Sequence, residues 1–273
     1  MDLSKYLKDK LEKLTSFLRN KKVIVAFSGG VDSSLLAFLS KKFAKDTLLI
    51  TEKSILYPDE EIQETINFAK YYDIPHIIVE RNPLEDTQFK KNPLNRCYIC
   101  KTGLYSDIIK IKNEKNFDII LDGSNLDDLS DYRPGMQALK ELDIKTPYID
   151  YKITKEDIRE ISNFYNLAVT SKPSMACFSS RIPYHQIIDE GKLKMIKEAE
   201  QFLKDNFKLT QLRVRYHDEK IARIELLQNE MLKVLNAKNL ERIKTKFKDL
   251  GFCYVTIDLE GFRSGSMNEI LDR

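Results

Sequence analysis

"VIVAFSGGVDSSLLAFLSKKFA", residues 23–44, decides the reading of the fold. Val23, Ile24, Val25, Ala26 and Phe27 form a short apolar, β-branched run stopped by Ser-Gly-Gly, the pattern of a buried strand. From Ser33 onward the apolar residues return with helical spacing. Between the two lies SGGVDSS, residues 28–34. Gly29 and Gly30 let the backbone turn tightly and come close to a ligand. The helix that follows aims unpaired N–H groups and the positive end of its dipole at whatever sits there. Ser28, Ser33 and Ser34 add hydroxyl donors, so the segment reads as an anion site at the C-terminal edge of a strand. It is not the GxxxxGK[ST] loop: no lysine is present, and Asp32 stands in the turn. An aspartate beside phosphates makes sense as a ligand of Mg2+. A bare strand–turn–helix capped by Ser28 or Asp32 explains one side chain, but not two glycines and three serines.

Outward from this stretch, strand and helix patterns alternate. "TLLIT" (47–51), "PHIIVE" (75–80) and "FDIILDG" (117–123) read as strands, and "PDEEIQETINFAKYY" as a helix opened by Pro58 and acidic residues. Such units predict an α/β fold, a doubly wound parallel sheet with helices on both faces. After about residue 185 the character changes. "DEGKLKMIKEAEQFLKDNF" is helical, and "QLRVRYH" (211–217) and "IARIELL" (221–227) form a hairpin turned by "HDEK". "MLKVLNAKNLERIKTKFKDLG" reads as one long helix ending at Gly251, and "FCYVTIDLEGF" as a last strand. The expected organisation is a domain over 1–184 and a smaller C-terminal α+β domain over 185–273.

The N-terminus, with Leu3, Tyr6, Leu7, Leu11, Leu14, Phe17 and Leu18 at helical spacing among charges, reads as an amphipathic helix and not a signal peptide. No apolar run is long enough to span a membrane. With 45 Lys+Arg against 42 Asp+Glu, the chain lacks the broad basic field of a non-specific nucleic-acid binder. Four cysteines without a dense framework suit a reducing, cytoplasmic setting.

SGGVDSS resembles the SGGxDS loop of the PP-loop ATP pyrophosphatases. The resemblance implies ATP and Mg2+ at Ser28, Gly29, Gly30, Val31, Asp32, Ser33 and Ser34, transfer of AMP to a substrate oxygen, and release of pyrophosphate. "LDGSNLDDLSDYRPG" follows the fourth strand. It places Gly123, Ser124 and Asn125 at the same edge, offers Asp127, Asp128 and Asp131 as a second metal contact, and offers Arg133 to phosphate or AMP. An Asx-rich loop capping the next helix is the plain alternative.

Cys97 and Cys100 stand in "NRCYICKTGLY", and Cys177 in "SKPSMACFSSRIPY". The CxxC pair alone could be a redox dithiol. Three thiolates could join a fourth ligand around zinc, although His76, His185 and His217 lack ligand spacing and His217 reads as a solvated turn residue. Three thiolates could also hold an iron–sulfur cluster with one iron open. Cys253 reads as a small core residue on the face of Val255 and Ile257.

Taken together, "VAFSGGVDSSLLA", "RCYICK", "LDGSNLDDLSDYRPG", "ACFSSRIPY", "LRVRYH" and "GFRSGSMNE" resemble the LarE family of ATP-dependent sulfur transferases over nearly the whole chain. The resemblance implies a mononucleotide dicarboxylate substrate, pyridinium-3,5-biscarboxylic acid mononucleotide, converted to a thiocarboxylate through an acyl-adenylate. It further implies a 4Fe–4S cluster on Cys97, Cys100 and Cys177, a sulfide source to reload it, a homo-oligomer, and no nucleic-acid or membrane partner. Asp32, Cys177 and Arg181 are the expected catalytic residues. Ser180, Arg181, Arg213, Arg215 and Arg263 are the expected substrate contacts, helped by Ser179, Ser264 and Ser266. Arg213 and Arg215, at i and i+2 on a strand, point the same way and suit a phosphate, or else a solvated strand face. Glu200, Glu225 and Glu230 are weaker candidates. A tRNA-thiolating PP-loop enzyme is the main alternative, followed by a zinc-stabilised nucleotide-binding module and an amide synthetase.

Overall fold

The computed structural model describes residues 3–130, 134–171 and 176–269. Packing divides the chain into two units, Met1–Pro83 with Leu94–Ser174, and Leu84–Pro93 with Met175–Arg273. The change of character after residue 185 lies inside the second unit, which also takes in ten residues from the first half of the chain.

The first unit begins with α1 (Lys5–Leu18), capped by the Ser4 hydroxyl, which accepts from Leu7 N at 3.2 Å. Leu7, Leu11, Leu14 and Leu18 are buried along one stripe. Tyr6 departs from the expectation: it lies off the stripe, 66% exposed, with the Lys10 ammonium over its ring. Then follow β1 (Lys22–Ala26), α2 (Val31–Phe43), β2 (Asp46–Lys53), α3 (Asp59–Tyr71) and β3 (His76–Glu80). β1, β2 and β3 are parallel, in the order β3-β2-β1 with the strand after residue 118 completing the other side.

The second unit's early segment, Leu84–Pro93, opens within a short 3-10 turn at Pro83–Glu85 and contains α4 (Thr87–Lys90). The Asn92 side chain donates to the carbonyls of Ile182 (3.2 Å) and Pro183 (2.7 Å), which explains its membership. Back in the first unit come α5 (Arg96–Glu114), β4 (Ile119–Leu121), α6 (Gly135–Glu141), α7 (Pro147–Asp150) and α8 (Lys155–Phe164). β4 pairs parallel with β1, which gives the order β3-β2-β1-β4. Alternate strand residues fall into two cores. Val23, Val25, Leu49 and Leu121 pack with α1, α2 and α8, while Ile24, Leu48, Ile50 and Ile120 pack with α5 and α6. Period-two sorting of this kind requires helices on both faces. The reversal of strand order falls between β1 and β4, so the loops leaving these two strands border one crevice.

The rest of the second unit is α9 (Glu190–Phe207), β5 (Leu212–His217), β6 (Ile221–Leu226), α10 (Ala237–Asp249) and β7 (Tyr254–Ile257). β5 and β6 are antiparallel and β7 lies parallel beside β6. The hairpin turns through Glu219 (φ 58°) and Lys220 (φ 57°).

The single long helix expected from residue 231 is two elements, a 3-10 segment at Gln228–Lys233 and α10. Asn236 breaks the run by capping α10, its side chain accepting from Asn239 N at 3.0 Å. Cys253 is exposed and precedes β7, contrary to the core role expected of it, because β7 lies at the sheet edge with only a half-buried face. His217 is half-buried, accepting from Arg223 Nε at 3.0 Å, and burial lowers its pKa; it is not the solvated residue expected. No helix among the described residues is long and apolar enough to cross a membrane.

Candidate active site

The loop after β1 bends at Gly29, whose φ of 73° lies in the left-handed region that glycine enters at no steric cost. Gly30 then caps α2 with extended backbone. The loop ties itself together: Ser28 N donates to Ser33 Oγ at 3.3 Å, and Ser33 Oγ donates to Gly30 O at 3.2 Å. Two residues past the neighbouring strand β4, Gly123 closes against the same helix end. A Cβ there would stand 3.1 Å from Ser33 N and 3.3 Å from the Asp32 carbonyl carbon. The loop and the β4 edge are therefore in direct backbone contact.

Asp32 is partly enclosed. Its Oδ2 accepts from Lys155 Nζ at 2.5 Å, and its carbonyl accepts from the Tyr148 hydroxyl at 3.0 Å. Burial pushes its carboxyl above the ordinary range against the pull of Lys155, with Asp128 adding to the push. Asp32 Oδ1 and Ser34 Oγ are buried with no hydrogen-bond partner among the described residues. Each such atom costs about 1–3 kcal/mol unless a ligand takes it. A carboxylate oxygen is the hard donor that Mg2+ prefers, so the loop fits a metal-bound polyphosphate.

Asp122, the first residue after β4, organises the other wall. It accepts from Lys101 Nζ (3.0 Å), from Ser124 N (2.7 Å), and from the Ser124 and Tyr105 hydroxyls. Burial pushes its carboxyl up, but the Lys101 ammonium and these hydrogen bonds outweigh it and hold it at about 2. Asn125 and Asp128 form a local turn: Asn125 N donates to Asp128 Oδ2 (3.0 Å) and Asp127 N to Asn125 Oδ1 (3.0 Å). Asp127 Oδ2 also accepts from Lys155 N at 2.7 Å. Asp131 and Arg133 lie outside the described residues.

Cys97 and Cys100 lie within α5 itself, not ahead of it. Their i, i+3 spacing places them on one helix face, Cys97 exposed and Cys100 half-buried. Arg81 braces this helix, bonding Glu52 (3.1 Å), Asp107 (3.2 Å) and the Cys100 carbonyl (3.4 Å). Gly103 leaves the room for it, since a Cβ there would meet Arg81 Nη2 at 2.2 Å.

In the second unit, Cys177 precedes a 3-10 turn, Phe178–Arg181. Its thiol lies 2.9 Å from the Ser179 hydroxyl. Its carbonyl accepts from Ser180 N (3.0 Å), Ser180 Oγ (2.8 Å) and Arg181 Nη1 (3.0 Å). Arg181 is buried and forks onto Glu200, which also accepts from Val214 N at 2.9 Å. Arg215 is buried too, donating to Glu225 Oε2 (2.7 Å), Ser266 Oγ (2.9 Å) and Ser180 O (3.0 Å). Arg213 lies over the Phe262 ring, and burial together with the charge of Arg181 lowers its pKa to about 10. These strand arginines are therefore not a solvated face. Three buried guanidiniums meet two buried carboxylates, Glu200 and Glu225, which leaves the cluster attractive to an anion. Arg263 is different: it sits nearer the surface among Asp258, Glu260 and Glu269. Glu230 accepts from Thr210 N (3.0 Å) and Lys233 Nζ (2.7 Å).

Cys97 and Cys100 belong to the first unit and Cys177 to the second. Among the described residues no group of three or more His, Cys, Asp or Glu is gathered to hold a metal ion. The sequence reading missed Asp122, Tyr105, Tyr148 and Lys155. Asp122, Tyr105 and Lys101 stood inside quoted motifs without being given a role, whereas Tyr148 and Lys155 carried no local signal.

A parallel sheet of order β3-β2-β1-β4, with a glycine–serine loop after β1 pressed against a glycine just past β4, is the architecture of the PP-loop ATP pyrophosphatases. A family model described as NAD synthase matches residues 1–96. An uncharacterised protein of Synechocystis sp. is 35% identical over 269 residues, covering 98% of this chain and all of that protein. An uncharacterised protein of Methanocaldococcus jannaschii is 36% identical over 246 residues, 90% of this chain and 92% of its own. The pyridinium-3,5-bisthiocarboxylic acid mononucleotide synthase of Lactiplantibacillus plantarum is 31% identical over 259 residues, 93% of this chain and 91% of that synthase. The chain belongs to the LarE family.

Proposed function

We propose that this protein is an ATP-dependent sulfur transferase that converts carboxylates of a pyridinium dicarboxylate mononucleotide to thiocarboxylates. The likeness over 93% of the chain to a synthase named for a bisthiocarboxylic acid mononucleotide carries the reading. ATP would sit on the Ser28–Ser34 loop, its phosphate charge met by the N-terminal end of α2, and Asp32 is the residue that would hold Mg2+. A substrate carboxylate oxygen attacks the α-phosphorus, the bond to the β-phosphate oxygen breaks, and pyrophosphate leaves. The resulting acyl-adenylate is a good electrophile, so placing the sulfur matters more than base catalysis. The buried arginines Arg181, Arg213 and Arg215 suit the substrate's phosphate and carboxylates, with Ser180 beside them and Arg263 nearer the rim. Cys97, Cys100 and Cys177 are the residues that would hold a 4Fe–4S cluster, which supplies sulfide when bound. Magnesium, the cluster and self-association are parts of the proposal.

The test is anaerobic purification followed by iron, acid-labile sulfide and zinc analysis, with pyrophosphate and thioacid assayed on the pyridinium substrate. About four irons with matching sulfide, lost when any one of the three cysteines is replaced, is the expected result. Zinc without sulfide would make the trio structural. Salt-dependent binding of tRNA would favour the thiolase alternative.

A further inference from the structure

Lys155 approaches the phosphate loop from 123 residues away in sequence. It is the first residue of α8, and its place is fixed from three sides. Its backbone N–H donates to Asp127 Oδ2 at 2.7 Å. Thr154 and Asp157 form a reciprocal capping box around the helix start. Asp157 is itself held by Lys10 Nζ at 2.7 Å. The side chain thus leaves a rigid origin and ends on one oxygen of Asp32, while the other oxygen is buried and has no partner among the described residues.

We infer that Lys155 is a positioning residue for Asp32, holding Oδ2 so that Oδ1 is kept as the ligand of the nucleotide's divalent cation. The inference rests on the nucleotide reading of the loop. A carboxylate with a free rotor would divide its time between orientations and present either oxygen. Here the ammonium fixes Oδ2, and the Tyr148 hydroxyl fixes the backbone carbonyl of the same residue. A competing idea is that Lys155 occupies the cation's place and must be displaced. The two ideas predict opposite signs.

The experiment measures Mn2+ binding by electron paramagnetic resonance on the full-length protein, saturated with an ATP analogue that cannot be cleaved between the α- and β-phosphates. Lys155→Met is expected to weaken Mn2+ binding about tenfold, the cost usual for losing a group that orients a metal ligand. Lys155→Arg is expected to restore most of it. Metal-free binding of the analogue is expected to stay within about threefold in both variants, a split that a merely structural lysine would not produce. Unchanged or tighter Mn2+ binding in Lys155→Met overturns the inference. Wild-type protein that binds neither the analogue nor Mn2+ overturns the nucleotide reading, and this inference falls with it; thermal melts of both variants confirm that the fold is intact.

Discussion

Arg181 and Glu200 meet fork to fork, Nε to Oε1 at 2.9 Å and Nη2 to Oε2 at 3.1 Å, with side-chain exposures of 1% and 3%. The same carboxylate takes the amide of Val214 from the middle of β5. One glutamate therefore ties the segment after Cys177, helix α9 and the second sheet together.

Removing one member of a shielded pair strands the other's charge. Glu200→Ala is expected to lower unfolding stability by about 3–5 kcal/mol. The double variant Arg181→Met/Glu200→Ala should recover part of that loss, because no charge is left buried. Urea denaturation of the three proteins checks it; a Glu200→Ala midpoint equal to the wild type would refute the shielding.

Gly123→Ala forces a methyl group to within 3.1 Å of Ser33 N. Overpacking of this kind costs about 1–3 kcal/mol. Because the strain falls on the first turn of α2, ATP binding should weaken by roughly tenfold, one such increment of free energy. Calorimetric titration with ATP reads it directly, and unaltered affinity would mean that the loop yields without consequence.

Asp122 is held at about 2 against an ordinary value of 3.8. A carboxyl depressed on folding adds stability that is complete above the unfolded value and is lost as pH falls through the folded one. The contribution is about 2 kcal/mol, disappearing between roughly pH 4 and pH 2. Stability measured against pH should therefore drop less steeply across that window in Asp122→Asn than in wild type. Parallel curves would place the effect elsewhere.

Cys177→Ala should abolish thioacid formation yet leave substrate-dependent pyrophosphate release intact. Cys253→Ser should change neither, since Cys253 is an exposed residue outside every site described. Thioacid made by the Cys177 variant would sink the sulfur-delivery role.

The first unit was legible because parallel strands covered on both faces leave short apolar runs, and "VIVAF" and "TLLIT" need no partner to be recognised. The loop at Ser28–Ser34 was legible for the same reason, since its chemistry is contiguous. What escaped is what folding brings together from afar. Lys155 carries no local mark of its bond to Asp32. Arg213 and Arg215 look like surface charges until β6 brings Glu225 opposite Arg213 and within hydrogen-bond reach of Arg215. The expected long C-terminal helix failed at Asn236, where capping outcompeted the apolar spacing that continues through the break.

Residues 84–93 belong by their packing to a unit that otherwise starts ninety residues later. The chain passes between units at 83/84, 93/94 and 174/175, so no single cut yields either unit whole. A fragment ending at 174 would leave Asn92 without the Ile182 and Pro183 carbonyls, and Lys90 O without the amide of Ile188. In descent, the same weave makes the two units one heritable block: a recombination event at either edge would carry off an incomplete module, so the pair is expected to have diversified together and not by exchange of parts.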